Sequence, residues 1–285
     1  MIEIIKRYYW LNVYPLVCSL NKQNRIELLI KKYGGSKLSL QKLKKIKSSD
    51  TIFILGTGQS INNFTKVEWD EIRKANSIGI NDFCLKGFAP TFYSFELERQ
   101  NLEDHLTRWE RNASYIIKNK IFEHSIFLLR PYEPSTKKLK EFVNYLDSRN
   151  LFMWHRIDEL PGTSVESIAE FQNRYVENGL STSNYYFPSR GSSLSWILYL
   201  VYKLGYKNII LCGIDLHGDH FWMNSKNISN INFDKKHETA IGSNGIGIKE
   251  LIYCYKNSIL KNTNLFVSTK YSLLSEDLPV YFKNL

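Results

Sequence analysis

Short, dense apolar runs alternate with longer amphipathic stretches along most of the chain, and polar residues recur where the apolar runs stop. Thr51 to Leu55, Ser77 to Ile80, Thr91 to Phe95, Ser125 to Leu129, Ile209 to Cys212 and Asn264 to Val267 have the length and apolar density of buried strands. The stretches around Leu102 to Asn112, Lys137 to Tyr145, Leu194 to Leu204 and Ile248 to Leu260 have helical length, and Gly205 stands as a stop after the third. Strand and helix alternate throughout, which predicts an α/β, Rossmann-like fold with a mainly parallel sheet. Two segments break the rhythm. Met153 to Pro188, carrying PGTS and STSN, reads as loop-rich, and the polar, Asn- and Ser-rich stretch around 217–247 reads as a lid.

The first 50 residues follow another pattern. MIEIIKRYYWLNVYPLVCSL is apolar and aromatic, but Lys6-Arg7 and Pro15 interrupt it, so it lacks the ~20 uninterrupted apolar residues of a membrane-crossing helix. Nor does it have the layout of a cleaved signal. Asn21 to Tyr33 reads as a basic helix with Ile26, Leu29 and Ile30 on one side and Gly34-Gly35 as its stop, and LSLQKLKKIKSS adds lysines among leucines. Such interleaving suits a helix lying on an anionic membrane surface, and it equally suits a basic extension packed on its own domain. The division predicted is 1–50 as a basic helical N-terminal extension and 51–285 as the domain.

Charge follows the same division. Residues 1–50 hold eleven Lys or Arg against three Asp or Glu, a net +8, which leaves +2 of the chain's +10 for the other 235 residues. A nearly neutral body argues against nucleic acid as a partner. Cys18, Cys84, Cys212 and Cys254 are far apart in sequence with no Cys-x-x-Cys, so neither a zinc site nor a disulfide framework is indicated, and a reducing cytoplasm fits.

The candidate chemistry sits where predicted strands end. Thr51 to Leu55 runs into Gly56-Thr57-Gly58-Gln59-Ser60, a turn whose glycines let backbone amides approach a phosphate or ribose; the absence of Gly-Lys-Ser/Thr excludes a P-loop. Ser77 to Ile80 ends at Asn81-Asp82, and Thr91 to Phe95 ends at Glu96. Arg190-Gly191-Ser192-Ser193 places a fixed charge and two hydroxyls at the start of the helix from Leu194, an arrangement that receives an anion. Gly213-Ile214-Asp215 falls at the carboxyl end of Ile209 to Cys212, the edge where open α/β sheets bind ligands.

Three of these features coincide with one family. ILGTGQS, the block from Arg190 to Asp215 with Leu204-Gly205-Tyr206-Lys207 inside it, and a histidine-bearing segment before a last helix and strand together resemble the bacterial sialyltransferases of glycosyltransferase family 42. Those enzymes modify lipooligosaccharide from a CMP-activated sugar. The likeness covers roughly Thr51 to Val267 and implies a GT-A-like variant of the Rossmann-like sheet. It implies that Gly56, Thr57, Gly58 and Ser60 line the nucleotide phosphate and ribose, that Asn81 contacts the nucleotide, and that Gly213, Ile214 and Asp215 face the cytidine. Ser94 stands where the family has a second asparagine. Arg190, Ser192 and Ser193 would face the donor and its carboxylate. His217 occupies the first of two positions at which the family's tyrosines grip the leaving phosphate, and His220 is a second candidate there. His237 falls where the family carries its catalytic histidine and is the expected general base, while His105, His124 and His155 are assigned surface or packing roles.

The implied activity is an inverting transfer of an acidic sugar, sialic acid or Kdo, to a lipooligosaccharide or capsule acceptor, with no metal or cofactor, since one phosphate leaves and no Asp-x-Asp motif occurs. The segment 153–188 would then shape the acceptor side, and the enzyme would sit in the cytoplasm, peripheral to the inner face of the membrane. A phosphotransferase resembling pterin pyrophosphokinases shares the Gly-x-Gly and Gly-x-Asp elements; metal dependence separates the two. A third reading is a non-enzymatic basic protein that binds membrane or nucleic acid. The acceptor, the linkage and whether the chain forms a homo-oligomer are left open by the sequence.

Overall fold

A computed structural model describes residues 2–96, 102–130, 137–146, 150–154, 156–158, 164–177, 187–190, 192–221 and 246–284. Eight parallel strands form one sheet: β1 (Ser36–Lys37), β2 (Thr51–Leu55), β3 (Asn76–Ile80), β4 (Phe92–Glu96), β5 (Ile126–Arg130), β6 (Leu151–Met153), β9 (Asn208–Cys212) and β10 (Asn264–Val267). Two more, β7 (Arg156–Asp158) and β8 (Phe187–Ser189), pair with each other in a second sheet. The spatial order is β1-β6-β5-β4-β3-β2-β9-β10, so the chain after β2 builds outward to one side and then returns to add β9 and β10 on the other. The carboxyl ends of β2 and β9, with Leu55 opposite Cys212, are therefore the point where strand order reverses and a crevice opens.

Both faces of the sheet are covered, which is why its strands read as unbroken apolar runs. On one face α8 (Ser193–Leu204) lies with α3 (Leu40–Ile46), α7 (Val165–Glu177) and α9 (Ile248–Lys256) against Ile52, Ile54, Ile78 and Leu211. Ten of the twelve residues of α8 are buried, as expected of a helix apolar all round. The other face carries α5 (Leu102–Lys118) and α6 (Lys137–Tyr145), with Trp109, Ile116, Phe142 and Val143 packed on Phe53, Tyr93, Phe95 and Phe127. Phe282, near the carboxyl terminus, closes that layer against Phe53.

The structure differs from three sequence expectations. The N-terminal helix does not start at Asn21: α1 (Ile2–Tyr8), a π turn at Tyr9–Val13 and α2 (Tyr14–Tyr33) follow one another without a break. Pro15 is accommodated in the first turn of α2, where its missing N–H removes no necessary bond. The boundary at residue 50 is also displaced. β1 pairs with β6 inside the main sheet, and Leu38, Leu40 and Leu43 enter the core, so the second part of the basic region is domain, not extension. Finally, the segment 153–188, whose composition predicts loops, contains β7, the start of β8 and the 13-residue α7. Ile168, Phe171 and Tyr175 bury one side of α7, and Gln172 between them accepts a hydrogen bond from Ser258 of the segment after α9.

Among the described residues no helix is long and apolar enough to cross a membrane. All four cysteines are free. The stretch read as a lid is described only at its start, to Phe221, and at its end, from Ile246.

Candidate functional site

The crevice is assembled from two glycine-containing loops that lean on one another. Gly56 N–H donates to the Cys212 carbonyl and Gly58 N–H to the Gly213 carbonyl, both at 2.7 Å, which carries the β2–β9 ladder one step beyond the sheet. No side chain fits between them: a Cβ on Gly56 would stand 2.5 Å from the Gly213 carbonyl oxygen, and one on Gly58 would stand 2.8 Å from the same atom. Gly213 itself has φ +61°, where glycine is the favoured residue.

Asp215 locks the pair. Its side chain is buried, at 5% residue exposure, and takes the Ser60 N–H at 2.8 Å on Oδ2 and the Ser60 hydroxyl at 2.5 Å on Oδ1. Burial raises its pKa above the ordinary carboxylate value, and the two bonds from Ser60 act against that rise. Behind the loop, Ser272 Oγ donates to the Ile214 carbonyl at 2.7 Å and Leu273 N–H to the Asp215 carbonyl at 3.0 Å. Leu216, with φ +64°, and Gly218, with φ +70°, then turn the chain sharply, a strained conformation of the kind that positions functional side chains.

That turn brings both histidines of the loop to the cavity. Nε2–H of the buried His217 donates to the Tyr271 carbonyl at 2.5 Å, which fixes the tautomer and makes Nδ1 the acceptor nitrogen of the neutral ring. His220 Nδ1 lies 3.0 Å from Thr57 Oγ1, and the backbone around it pairs with Gly58 in an isolated antiparallel bridge. Across from them stands the amino end of α8, where Ser192 Oγ accepts from Leu194 N–H at 3.1 Å and caps the helix. The cavity between these parts encloses about 240 Å³.

Gly56, Thr57, Gly58, Asn81, Ser192, Ser193, Gly213, Ile214, Asp215, His217 and His220 all line this cavity. Asn81 reaches it at the end of β3 with φ +53°, and its carbonyl accepts the Tyr93 hydroxyl. Three candidates lie elsewhere. Ser60 holds Asp215 and does not face the cavity; Ser94 is fully buried beneath it, 3.5 Å from Glu96 Oε1. Arg190 is not on the wall either. Its N–H donates to Ser195 Oγ at 2.9 Å, and its charge acts on the phenol of Tyr255 in α9, whose pKa burial pushes up. His237 lies outside the described residues.

The cavity extends past the crevice toward β4 and α5, and the residues at that end carried no sequence assignment. Asp82, with no exposed surface, is clamped by Arg108, by Arg111 Nη2 at 3.1 Å and by Asn112 Nδ2, all from α5. Glu96 accepts Trp196 Nε1–H at 2.5 Å, and Arg130 stands 3.3 Å from its other oxygen. Arg108, Trp109, Asn112, Phe95 and Glu96 complete the wall. The strand-end positions of Asp82 and Glu96 were a signal for them; the three α5 residues had none. Among the described residues no cluster of three His, Cys, Asp or Glu side chains is placed to hold a metal ion. No protein-family model matches the chain, and a search of curated proteins finds no match to it.

Proposed function

We propose that the protein is an inverting glycosyltransferase that moves an acidic sugar from a CMP-activated donor to a hydroxyl of a cell-surface glycan, lipooligosaccharide or capsule. The observation that carries this reading is the paired-loop crevice at the strand-order reversal, faced by a helix amino end and two histidines. A nucleotide fits the backbone-lined side formed by Gly56 to Gly58 and Gly213 to Asp215. Its phosphate is met by the amino end of α8 with Ser192 and Ser193, where the helix dipole favours negative charge. In the reaction the acceptor oxygen bonds to the anomeric carbon as the bond from that carbon to the phosphate oxygen breaks, and CMP leaves with the electron pair. His217 and His220 serve the leaving phosphate, and His237 takes the acceptor proton.

The first two helices support attachment to the inner, anionic face of a membrane. Val13, Leu16, Val17 and Leu20 recur at i, i+3, i+4 and i+7 and are all exposed, while Ile26 and Leu29 further along bury against the domain. The segment from Tyr8 to Leu20 has no charged residue and lies between the exposed Lys6 and Arg25, so an apolar stripe with basic ends faces outward. The basic residues at its ends add attraction to an anionic lipid surface.

The test is incubation of the full chain with CMP-sialic acid, CMP-Kdo, UDP-sugars, GDP-sugars and ATP, with and without EDTA, following release of the nucleotide. Release from a CMP-sugar that EDTA leaves unchanged is the expected result. Turnover only of a nucleoside triphosphate, abolished by EDTA, would replace the reading with a phosphotransferase.

A further inference from the structure

The β4–α5 end of the cavity lies about 10 Å, two strand spacings, along the sheet edge from the β2–β9 crevice, so a nucleotide held there leaves this end to the group the nucleotide carries. What it offers that group is hydrogen-bond donors. Both carboxylates at this end are already engaged, Asp82 by Arg108, Arg111 and Asn112, and Glu96 by Trp196 and Arg130. The Arg108 side chain keeps 39% of its surface exposed while pairing with Asp82, and a guanidinium has five N–H donors to distribute. The neighbouring Trp109 is 2% exposed, and its indole N–H, buried, has no hydrogen-bond partner among the described residues. Phe95, stacked on the Trp109 ring at 5.2 Å, holds that ring in place.

We infer that Arg108 and Trp109 form the subsite that reads the carboxylate of the transferred sugar, with Asp82 as a positioning residue that fixes the guanidinium. A recess that presents donors suits a group that only accepts, and a planar guanidinium matches a carboxylate in two parallel bonds. Arg190, which the sequence suggests for this task, does not line the cavity, and among the described residues Arg108 is the arginine on its wall. The phosphate is served separately at the α8 amino end, which keeps the donor's two negative charges apart. This inference rests on the CMP-sugar reading of the same site.

Calorimetric titration of the full chain with CMP, with CMP-sialic acid and with UDP-galactose tests it. The expected result is that Arg108→Gln weakens CMP-sialic acid by about tenfold or more and leaves CMP within about twofold. Arg108→Lys, which keeps the charge and loses the fork, falls between, and Trp109→Phe weakens CMP-sialic acid alone by about fivefold. Trp109→Phe leaves the Asp82 cluster intact, so it decides the matter if Arg108→Gln fails to fold. Equal losses for CMP and CMP-sialic acid, or unchanged affinity for CMP-sialic acid in Trp109→Phe, would overturn the assignment. A native protein that binds CMP yet gains nothing from the attached acidic sugar also overturns the subsite while leaving the nucleotide crevice standing. One that binds UDP-galactose alone, or none of the three, overturns the CMP-sugar reading as well.

Discussion

Ser60→Ala isolates the joint that holds the two crevice loops together. The native hydroxyl gives Asp215 one of its two bonds from Ser60, at 2.5 Å, inside a site where the carboxylate is 5% exposed. A net contribution of ~1.5–3 kcal/mol is typical of a hydrogen bond to a buried charged group, so the variant should lose about 2 kcal/mol at pH 7. For a chain of this size that corresponds to a fall in Tm of about 3 °C. The pH dependence makes the test specific. Asp215 has a folded pKa raised by burial, so its protonated form favours folding: that contribution is fully present below the unfolded value of 3.8 and is lost as pH rises through the folded pKa. Ser60 moderates the rise by bonding to the charged form, and its removal pushes the folded pKa higher still. The deficit of Ser60→Ala should therefore be largest at pH 7 and shrink as pH falls and the carboxyl becomes protonated in both proteins. Urea unfolding followed by circular dichroism at pH 7, 6, 5 and 4 measures it. A deficit under about 0.5 kcal/mol at pH 7, or one that stays constant over the series, would refute the reasoning.

Other consequences follow from the same geometry. Gly58→Ala places a Cβ 2.8 Å from the Gly213 carbonyl oxygen and closer still to the Asp215 carboxylate, so CMP affinity should fall by at least about tenfold, measured by calorimetry, with a lower Tm. His237→Ala should lower turnover by about 10²–10⁴ while CMP still binds; near-normal turnover there, with a large loss in His217→Ala or His220→Ala, would move the base to the loop after β9. Arg190→Lys should leave CMP affinity unchanged, because the side chain is not on the cavity wall; a loss of CMP binding would return Arg190 to the site. Leu16→Asp combined with Leu20→Asp, both at exposed positions, should abolish flotation with anionic liposomes without lowering Tm, and flotation equal to the native protein would exclude the stripe as the docking surface.

The parts of this site that could be read in the sequence are those in which local chemistry determines geometry. Parallel strands buried on both faces read as unbroken apolar runs, and the residues that follow such a run must lie at the sheet's carboxyl edge, which is why Gly56 to Gly58, Asn81 and Gly213 to Asp215 could be brought together with no knowledge of the sheet order. The helix α7 was hidden by its composition. Ile168, Phe171 and Tyr175 do recur with helical spacing, but a polar Gln172 shares their side, and its partner Ser258 lies 86 residues away. Ser94 was misplaced although its period could be read: along a strand Phe92, Ser94 and Glu96 point the same way, and Phe92 belongs to the layer under α8, so the serine is directed into that layer beside Trp196.

The α5 side of the cavity required the fold itself. Arg108, Arg111 and Asn112 acquire their meaning from Asp82, 26 to 30 residues earlier, and nothing local separates them from a solvated basic face. Placing α5 over the ends of β3 and β4 converts that face into a clamp on one buried carboxylate, which in turn holds a guanidinium on the wall of the cavity. The sequence suggests Arg190 as the anion ligand because it adjoins Ser192. Adjacency in a loop sets no direction for a side chain: the Arg190 N–H bonds Ser195 Oγ, its charge acts on Tyr255, and the residue is not on the cavity wall. The charge presented in this cavity is thus decided by packing between distant elements, so, on the proposed reading, specificity for the sugar can change through α5 while the loops after β2 and β9 stay as they are.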